Sequence, residues 1–408
     1  MPTLSPLPNH AAVHPGTTWI KALLEAFPGS PLGFPGRREE AWRFTDLSLL
    51  SRIPPHPLDA ATEHKPAPAL PAPGPHTWRL HLDTWPQAGQ IQWPAGIEPL
   101  SGPDLTLHLG KVLAATAMEH HWLTHLNAAL TPQVVALRIR PGCHTCLEVV
   151  SDTAQRSGVL PHRLLLVVEE GATLNLVQVH QASGPSLTSV VMEIRLERQA
   201  RLHHALVAHG NTSGALLTGT AVSQAPESHY FQTSVSTGWG LARQEPVILQ
   251  GDGQATTHLR GLHWVRGSQI ADTHSRVCFS GPEGKLDQVH KVVAEEEGRS
   301  VFNGCIQVPR QGQRTDASQL SRSLLLSDRA RIDTKPQLEI VADDVRCSHG
   351  ATISRLQQDE LFYLQSRGIG APQASRLLLR SFCEEVLAQL PPAARIWDPL
   401  GSLLEEGR

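Results

Sequence analysis

Val190-Val191-Met192-Glu193-Ile194-Arg195-Leu196-Glu197 alternates along its whole length. Val190, Met192, Ile194 and Leu196 fall on one side and Val191, Glu193, Arg195 and Glu197 on the other, the period of two that marks a β-strand. Similar short runs surround it, at Leu164 to Val168, Leu174 to Val179, Val247 to Leu249 and Val289 to Val293. Gly171, Gly184, Gly210, Gly219, Gly251, Gly253, Gly261 and Gly304 punctuate them, as turn residues do. The spacing is rung-like, without an exact repeat. Polar residues at strand centres, Gln178, His180, His203, Thr218 and Thr220, fit stacked rungs with wet outer faces. Residues 131–354 are therefore expected to form a mainly β core. Periodicity alone leaves a sandwich, a barrel and a β-solenoid open.

Both flanks read differently. Residues 1–130 are expected to be an N-terminal region with helices. Trp19, Leu23, Leu24 and Phe27 recur at helical spacing and stop before Pro28-Gly29. Residues 52–76 are dense in Pro and Ala and read as an extended arm. Lys111 to Leu130 reads as one helix, with Leu113, Ala117, Trp122, Leu126 and Leu130 available for burial. Residues 355–408 read as a C-terminal helical domain. Asp359 and Glu360 suit the start of a first helix, Gly368 its C-cap and Pro372 the start of a second. Leu377, Leu378, Phe382, Val386, Leu387 and Leu390 form an apolar stripe that Pro391-Pro392 ends.

Composition narrows the function classes. The formal net charge is −3 with 18% charged residues, so no general attraction to nucleic acid or membrane surfaces is expected. No run of 18 apolar residues occurs, and Met1 to His10 has neither the basic nor the apolar part of a secretory signal. Six cysteines over 408 residues fit free thiols in a reducing compartment, which a bacterial cytosol and a plastid both offer; no transit peptide is read, so a cytoplasmic setting is expected.

The stretch that carries chemistry is Asp343-Asp344-Val345-Arg346-Cys347-Ser348-His349-Gly350-Ala351-Thr352. In a strand, Cys347 and His349 point to one face and can aim at one ligand or one partner surface. Thiolate and imidazole suit soft and borderline metals and iron–sulfur clusters. The thiolate needs a depressed pKa, which Arg346, on the opposite face, supplies only by reaching back. Gly350 allows a bend or a close approach. The bland alternatives are a small buried thiol and a hydrogen-bonding imidazole. Cys143-His144-Thr145-Cys146 is a CxxC with no second CxxC to complete a zinc site. Cys278, Cys305 and Cys383 lack partners at metal-like spacing and read as structural. Gly281-Pro282-Glu283-Gly284-Lys285-Leu286 fails as a phosphate loop, because Phe279 stands where the first Gly is needed and Leu286 replaces Ser/Thr. Any ATPase is therefore another chain. Glu295-Glu296-Glu297 is consecutive and reads as a solvated turn, which argues against a polysaccharide-active β-helix enzyme.

Further motifs stand around that stretch. They are Val301-Phe302-Asn303-Gly304, Gln313-Arg314-Thr315-Asp316-Ala317-Ser318-Gln319, Ser323-Leu324-Leu325-Leu326-Ser327-Asp328 and Asp333-Thr334-Lys335-Pro336-Gln337-Leu338-Glu339-Ile340. Downstream comes Leu361-Phe362-Tyr363-Leu364-Gln365-Ser366-Arg367-Gly368-Ile369. In this order they resemble the SufB/SufD family of iron–sulfur cluster assembly proteins, densely over residues 287–390. The likeness is looser at Ala242-Arg243-Gln244-Glu245 to Gly253, and Arg38-Glu39-Glu40-Ala41-Trp42-Arg43-Phe44-Thr45 resembles the family's entry motif. The Cys-Ser-His-Gly-Ala-Thr form is nearer the SufD branch.

The resemblance implies a right-handed parallel β-helix with helical regions at both ends, which selects the solenoid. It implies a non-catalytic scaffold subunit of a SufB–SufC–SufD complex, with ATP hydrolysis by SufC. It places His349 and Cys347 at the SufB junction, as residues that hold a transient nascent cluster, possible metal ligands both, with no cofactor tightly bound to the isolated chain. The C-terminal helices then cap the solenoid end, dock SufC, or do both. Arg37, Arg38 and Trp42 make a partner contact or a simple N-terminal cap. A SufB-like homodimeric scaffold is the alternative, and a homodimer of the isolated chain is compatible with either.

Overall fold

The computed structural model describes residues 15–26, 32–36, 38–58, 70–82, 91–131 and 133–405. The expected helix stop at Phe27-Pro28-Gly29, Arg37 and the centre of the Pro-rich arm at 59–69 lie outside them. The described strands run in chain order as β1 (Thr77–His81), β2 (Ile97–Pro99), β3 (Val134–Ile139), β4 (Cys146–Asp152), β5 (Gly158–Val168) and β6 (Thr173–Gln181). Next come β7 (Ser186–Leu196), β8 (Arg201–His209), β9 (Ala215–Gln224), β10 (His229–Thr237), β11 (Leu241–Gln250) and β12 (Thr256–Val265). The last are β13 (Ile270–Phe279), β14 (Lys285–Ala294), β15 (Arg299–Val308), β16 (Asp316–Leu325), β17 (Arg331–Ile340) and β18 (Arg346–Ser354).

These strands form a parallel β-solenoid. Among the described residues, one nine-stranded sheet holds β1 and the even strands from β4 to β18, and a second holds β2 and the odd strands from β3 to β17. Apart from the antiparallel β2–β3 pair, neighbours are parallel. Arg201 registers with His229, His229 with Thr256, Thr256 with Lys285, Lys285 with Asp316 and Asp316 with Arg346, so a coil takes 27 to 31 residues. That variation is why no exact repeat is visible. A coil of parallel crossovers takes the right hand, the hand implied by the family resemblance. The first of these strands begins at Thr77, within the region read as helical, and Pro57 already makes an isolated parallel bridge with Val159.

Three apolar clusters organise the molecule. The lumen is filled by Leu147, Leu166, Ile194, Leu202, Tyr230, Ile248, Phe279 and Ile306 with their neighbours. The N-terminal helices α1 (Pro15–Ala26), α2 (Gly102–His108), α3 (Lys111–Ala115) and α4 (Trp122–Leu130) belong to the second sheet's side. Trp19, Leu23, Trp42, Leu123 and Leu126 pack on outward residues of that sheet, among them Leu187, Val191, Leu217 and Val247. On the C-terminal side lie α5 (Gln358–Ser366), α6 (Ala371–Leu387), α7 (Pro392–Arg395) and α8 (Gly401–Glu405). Cys383, Val386, Leu390, Trp397 and Leu400 cover Val177, Val207, Leu262, Trp264 and Val293 on the outside of the first sheet.

Buried polar side chains of the coils bolt these flanks down. Glu193 accepts from the backbone N–H groups of Gly110 at 3.0 Å and Leu113 at 3.2 Å, which otherwise lack partners at the start of α3. Asn127 donates to the carbonyls of His162 and Ser189, both at 3.0 Å. Trp397 donates to Glu148 at 2.7 Å, and Lys291 donates to the carbonyl of Phe382 at 2.7 Å.

Four expectations are corrected. The helix read over Lys111 to Leu130 is two helices, because Ala117 takes φ +55° and breaks the run between α3 and α4. Gly219, Gly261 and Gly304 are not turn residues. They lie inside β9, β12 and β15, where a Cβ would stand 2.3 Å from Met118, 3.0 Å from His290 and 2.3 Å from Gln319 respectively. The polar strand centres are mostly not wet: Gln178, His180, Thr218 and Thr220 are buried, and only His203 is exposed. Finally, α6 lies along the flank of the solenoid and does not close its end.

Candidate functional site: the open end of the solenoid

β17 and β18 are the last strands of their sheets, each paired on one side only. Strands in mid-solenoid are buried nearly throughout, whereas β17 is half-buried and β18 is largely exposed. The two outer edges present a row of unsatisfied backbone N–H and C=O groups. Ile340, Val341 and Ile353 expose apolar surface beside them. The opposite end is treated differently: Trp78, Ile91 and Trp93 pack on the lumen cluster there, with the Trp78 and Trp93 rings 5.0 Å apart.

Cys347 and His349 lie on β18 at this open end. They register with Ala317 and Gln319, which are buried lumen residues of β16. Both side chains therefore share the inward face, as the spacing of two predicts. Cys347 is half-buried and packs against the lumen cluster, and His349 is exposed. Burial raises the Cys347 pKa above its ordinary value; the Asp316 carboxylate raises it further, and a backbone hydrogen bond at Ala317 offsets part of this. Arg346 is exposed on the outward face and lends the thiol no depression. Gly350 neither bends the strand nor takes a positive φ; a Cβ there would meet Leu320 at 3.3 Å.

Sequence reasoning missed the polar interior behind these residues. Ser151, His180, Gln178, His204 and Tyr230 form a hydrogen-bonded chain with links of 2.7, 2.7, 2.9 and 3.0 Å. Nearer the open end, Thr273 Oγ1 bonds His263 at 2.9 Å, Gln288 donates to Ser275 at 2.8 Å, and Gln319 donates to Gln288 at 2.9 Å. Burial holds the His162, His180 and His204 pKa values down to about 3 and that of His263 to about 4. The signal was present as alternate polar residues within otherwise apolar strands.

The two outlying motifs of the family resemblance meet. Trp42 lies over the guanidinium of buried Arg243, whose Nη1 donates to the carbonyl of Ala41 at 2.9 Å. Arg243 also pairs with Glu245 at 2.6 Å and with Asp272, which Thr45 contacts in turn. Burial, the largest single influence, would raise the Glu245 and Asp272 pKa values; the Arg243 charge together with His121 and His274 beside Glu245, and His274 and Thr45 beside Asp272, outweighs it and holds both low. Trp42 thus docks the entry motif on the second sheet's outer face. Arg38 is exposed.

The remaining motifs take structural places. Cys143 belongs to the lumen cluster and Cys146 to the cluster under the C-terminal helices, so the CxxC thiols face different sides. Burial pushes Cys146 up to about 11 and Cys383 up to about 12. Cys278 and Cys305 are half-buried. Gly281 to Gly284 form a turn into strand β14, not into the helix a phosphate loop requires. Glu295 to Glu297 form the turn between β14 and β15. Among the described residues, no three His, Cys, Asp or Glu side chains converge as a metal site.

At the C-terminus, Gly368 takes φ +86° after α5, and Pro372 lies in the first turn of α6, both as expected. α5 packs on α6 yet buries none of its own residues; Phe362 is 72% and Tyr363 57% exposed, and Leu377 of α6 is exposed too.

Comparison with known proteins gives a consistent picture. Residues 150–382 match the family described as SUF system FeS cluster assembly, SufBD core domain. An iron–sulfur cluster assembly SufBD family protein of Synechocystis is 32% identical, covering 89% of this chain and 85% of the relative. The chloroplastic protein ABCI7 of Arabidopsis thaliana is 33% identical over 88% of this chain and 79% of its own. The iron–sulfur cluster assembly protein SufD of Escherichia coli is 24% identical over 88% of this chain and 86% of its own. With a matching core domain and relatives that align along nearly its full length, this chain belongs to the SufBD family of iron–sulfur cluster assembly proteins.

Proposed function

We propose that this chain is a SufD-like, non-catalytic scaffold subunit that joins a SufB-like sister end to end through β17 and β18. The observation that carries the reading is the uncovered end, where unpaired strand edges, exposed Ile340 and Ile353, and the inward pair Cys347 and His349 coincide. A second solenoid end placed there would satisfy the free backbone groups and cover the apolar rim. It would also enclose the thiol and the imidazole.

The nascent cluster is cargo at that junction. An iron–sulfur cluster takes about four protein ligands, and this chain brings two. The sister subunit supplies the others and receives sulfur first. His349, exposed and beside solvent, is the readier donor; Cys347, with its raised pKa, binds metal once a cation displaces its proton. A SufC-like ATPase docks on the exposed hairpin of α5 and α6 through Phe362, Tyr363 and Leu377. Its ATP-driven dimerisation biases the junction between closed and open arrangements. The cytoplasmic setting expected from the free thiols belongs to this proposal, and one relative is named chloroplastic. No described helix is long and apolar enough to cross a membrane.

The test is anaerobic co-purification with SufB-like and SufC-like partners, followed by His349→Ala. The expected result is an intact complex that no longer accumulates cluster. Normal cluster loading by an intact His349→Ala complex would sink the role of His349. A chain that dimerises alone and loads cluster without a sister would support the SufB-like homodimeric scaffold instead.

A further inference from the structure

Behind the open end the side-chain amides form a ladder with a single polarity. Gln288 spends its Nε2 on Ser275 Oγ at 2.8 Å, and Gln319 spends its Nε2 on Gln288 Oε1 at 2.9 Å. The ladder ends with Gln319 Oε1 buried and without a hydrogen-bond partner. Leaving a buried acceptor orphaned is costly, so a donor within its reach is expected. The residue stacked on Gln319 in the next strand, at the same inward position, is His349.

The room for this arrangement is made by Gly304. A Cβ at that position would stand 2.3 Å from Gln319 Nε2 and 2.7 Å from Phe302 Cζ. A glycine inside a strand lets another group come close, and here that group is the Gln319 amide. Ser321, the next inward residue of β16, is engaged elsewhere: Thr334 donates to it at 3.3 Å.

We propose that Gln319 is a positioning residue for His349: its Oε1 accepts the imidazole N–H that faces it and fixes the tautomer. The other ring nitrogen is then unprotonated and directed out of the lumen, where it can bind a metal ion. A metal-binding histidine is commonly held by a partner of this kind on its second nitrogen. The purpose of the contact rests on the junction reading given above, whereas the contact itself is tested on the isolated chain.

The experiment is nitrogen-edited NMR of histidine-labelled full-length chain, with the His349 signals assigned by their loss in His349→Gln. The native chain is expected to hold His349 in predominantly one neutral tautomer. Gln319→Met keeps the length and removes the acceptor, and should return the ratio to that of an unconstrained histidine. Gly304→Ala displaces the Gln319 amide and should shift the ratio in the same direction with Gln319 still present. An unconstrained ratio in the native chain overturns the proposal whatever the variants do, as does a biased ratio that Gln319→Met leaves unchanged. A biased tautomer with normal cluster loading in His349→Ala would keep this proposal and sink the junction reading. An unconstrained tautomer with loading lost in His349→Ala would do the reverse.

Discussion

The guanidinium of Arg243 lies 3.7 Å from the centre of the Trp42 ring, which joins two motifs about 200 residues apart in the chain. The cation is buried with its partners Glu245 and Asp272, and with His121 beside the first and His274 beside the second it favours their charged forms. Removing one member of a buried ion group leaves the others uncompensated and costs about 3–5 kcal/mol. Arg243→Met is expected to lower the free energy of unfolding by that amount in urea titration. A loss below about 1 kcal/mol would show that the acids are neutralised or solvated in some other way.

Acid should weaken the fold through its interior histidines. His162, His180 and His204, at about 3, and His263, at about 4, remain neutral in the folded chain where an unfolded histidine titrates near 6.5. Above that value neither state binds the proton. As pH falls below it, the unfolded chain takes up protons that the folded chain excludes, so stability falls by about 1.4 kcal/mol per pH unit for each histidine. His162 Nε2 has no hydrogen-bond partner, so His162→Met removes one titrating ring without orphaning another side chain. The slope of unfolding free energy between pH 5 and 6 should become shallower by about one proton in that variant. An unchanged slope would refute the exclusion of protons from His162.

Thiol labelling should sort the cysteines. Cys383 and Cys146 are buried with raised pKa values and should stay silent until denaturant is added. Cys347 is half-buried, so it should react in the native chain, and its rate should still be climbing at pH 9, because the thiolate is the nucleophile. A Cys347 rate that levels off below pH 8 would contradict the raised pKa.

The rim of the open end can be tested with Ile353→Asp. Ile353 is 47% exposed, so the charge stays wet in the isolated chain and the melting temperature should move little. Covered by a sister subunit, the same carboxylate would be desolvated without a partner, which costs several kcal/mol. Partner affinity should fall at least tenfold in a pull-down titration. Unchanged pairing would place the junction elsewhere on the molecule.

Much of this architecture was legible from period two, because most rungs carry apolar residues toward the lumen. The alternation fades in β14, where the outward residues Val289, Lys291 and Val293 are buried too, the last under the C-terminal helices. Equating polarity with exposure puts Gln178 and His180 on wet faces; hydrogen bonding to each other and to Ser151 and His204 lets them stay inside. The break at Ala117 was invisible because alanine seldom takes a positive φ. Cys347 and His349 were legible as a same-face pair. The openness of their surroundings was not, because it depends on α6 turning back along the flank, a long-range packing choice that no local pattern encodes.

A body built this way has a terminus to its stacking but no stopper. With its edge uncovered, the final described rung is a template onto which an extended segment can add, in the manner of fibre growth. If a sister end covers that rung as proposed, the cell would have to match the supply of the two chains, and surplus of this one would be a target for proteolytic clearance.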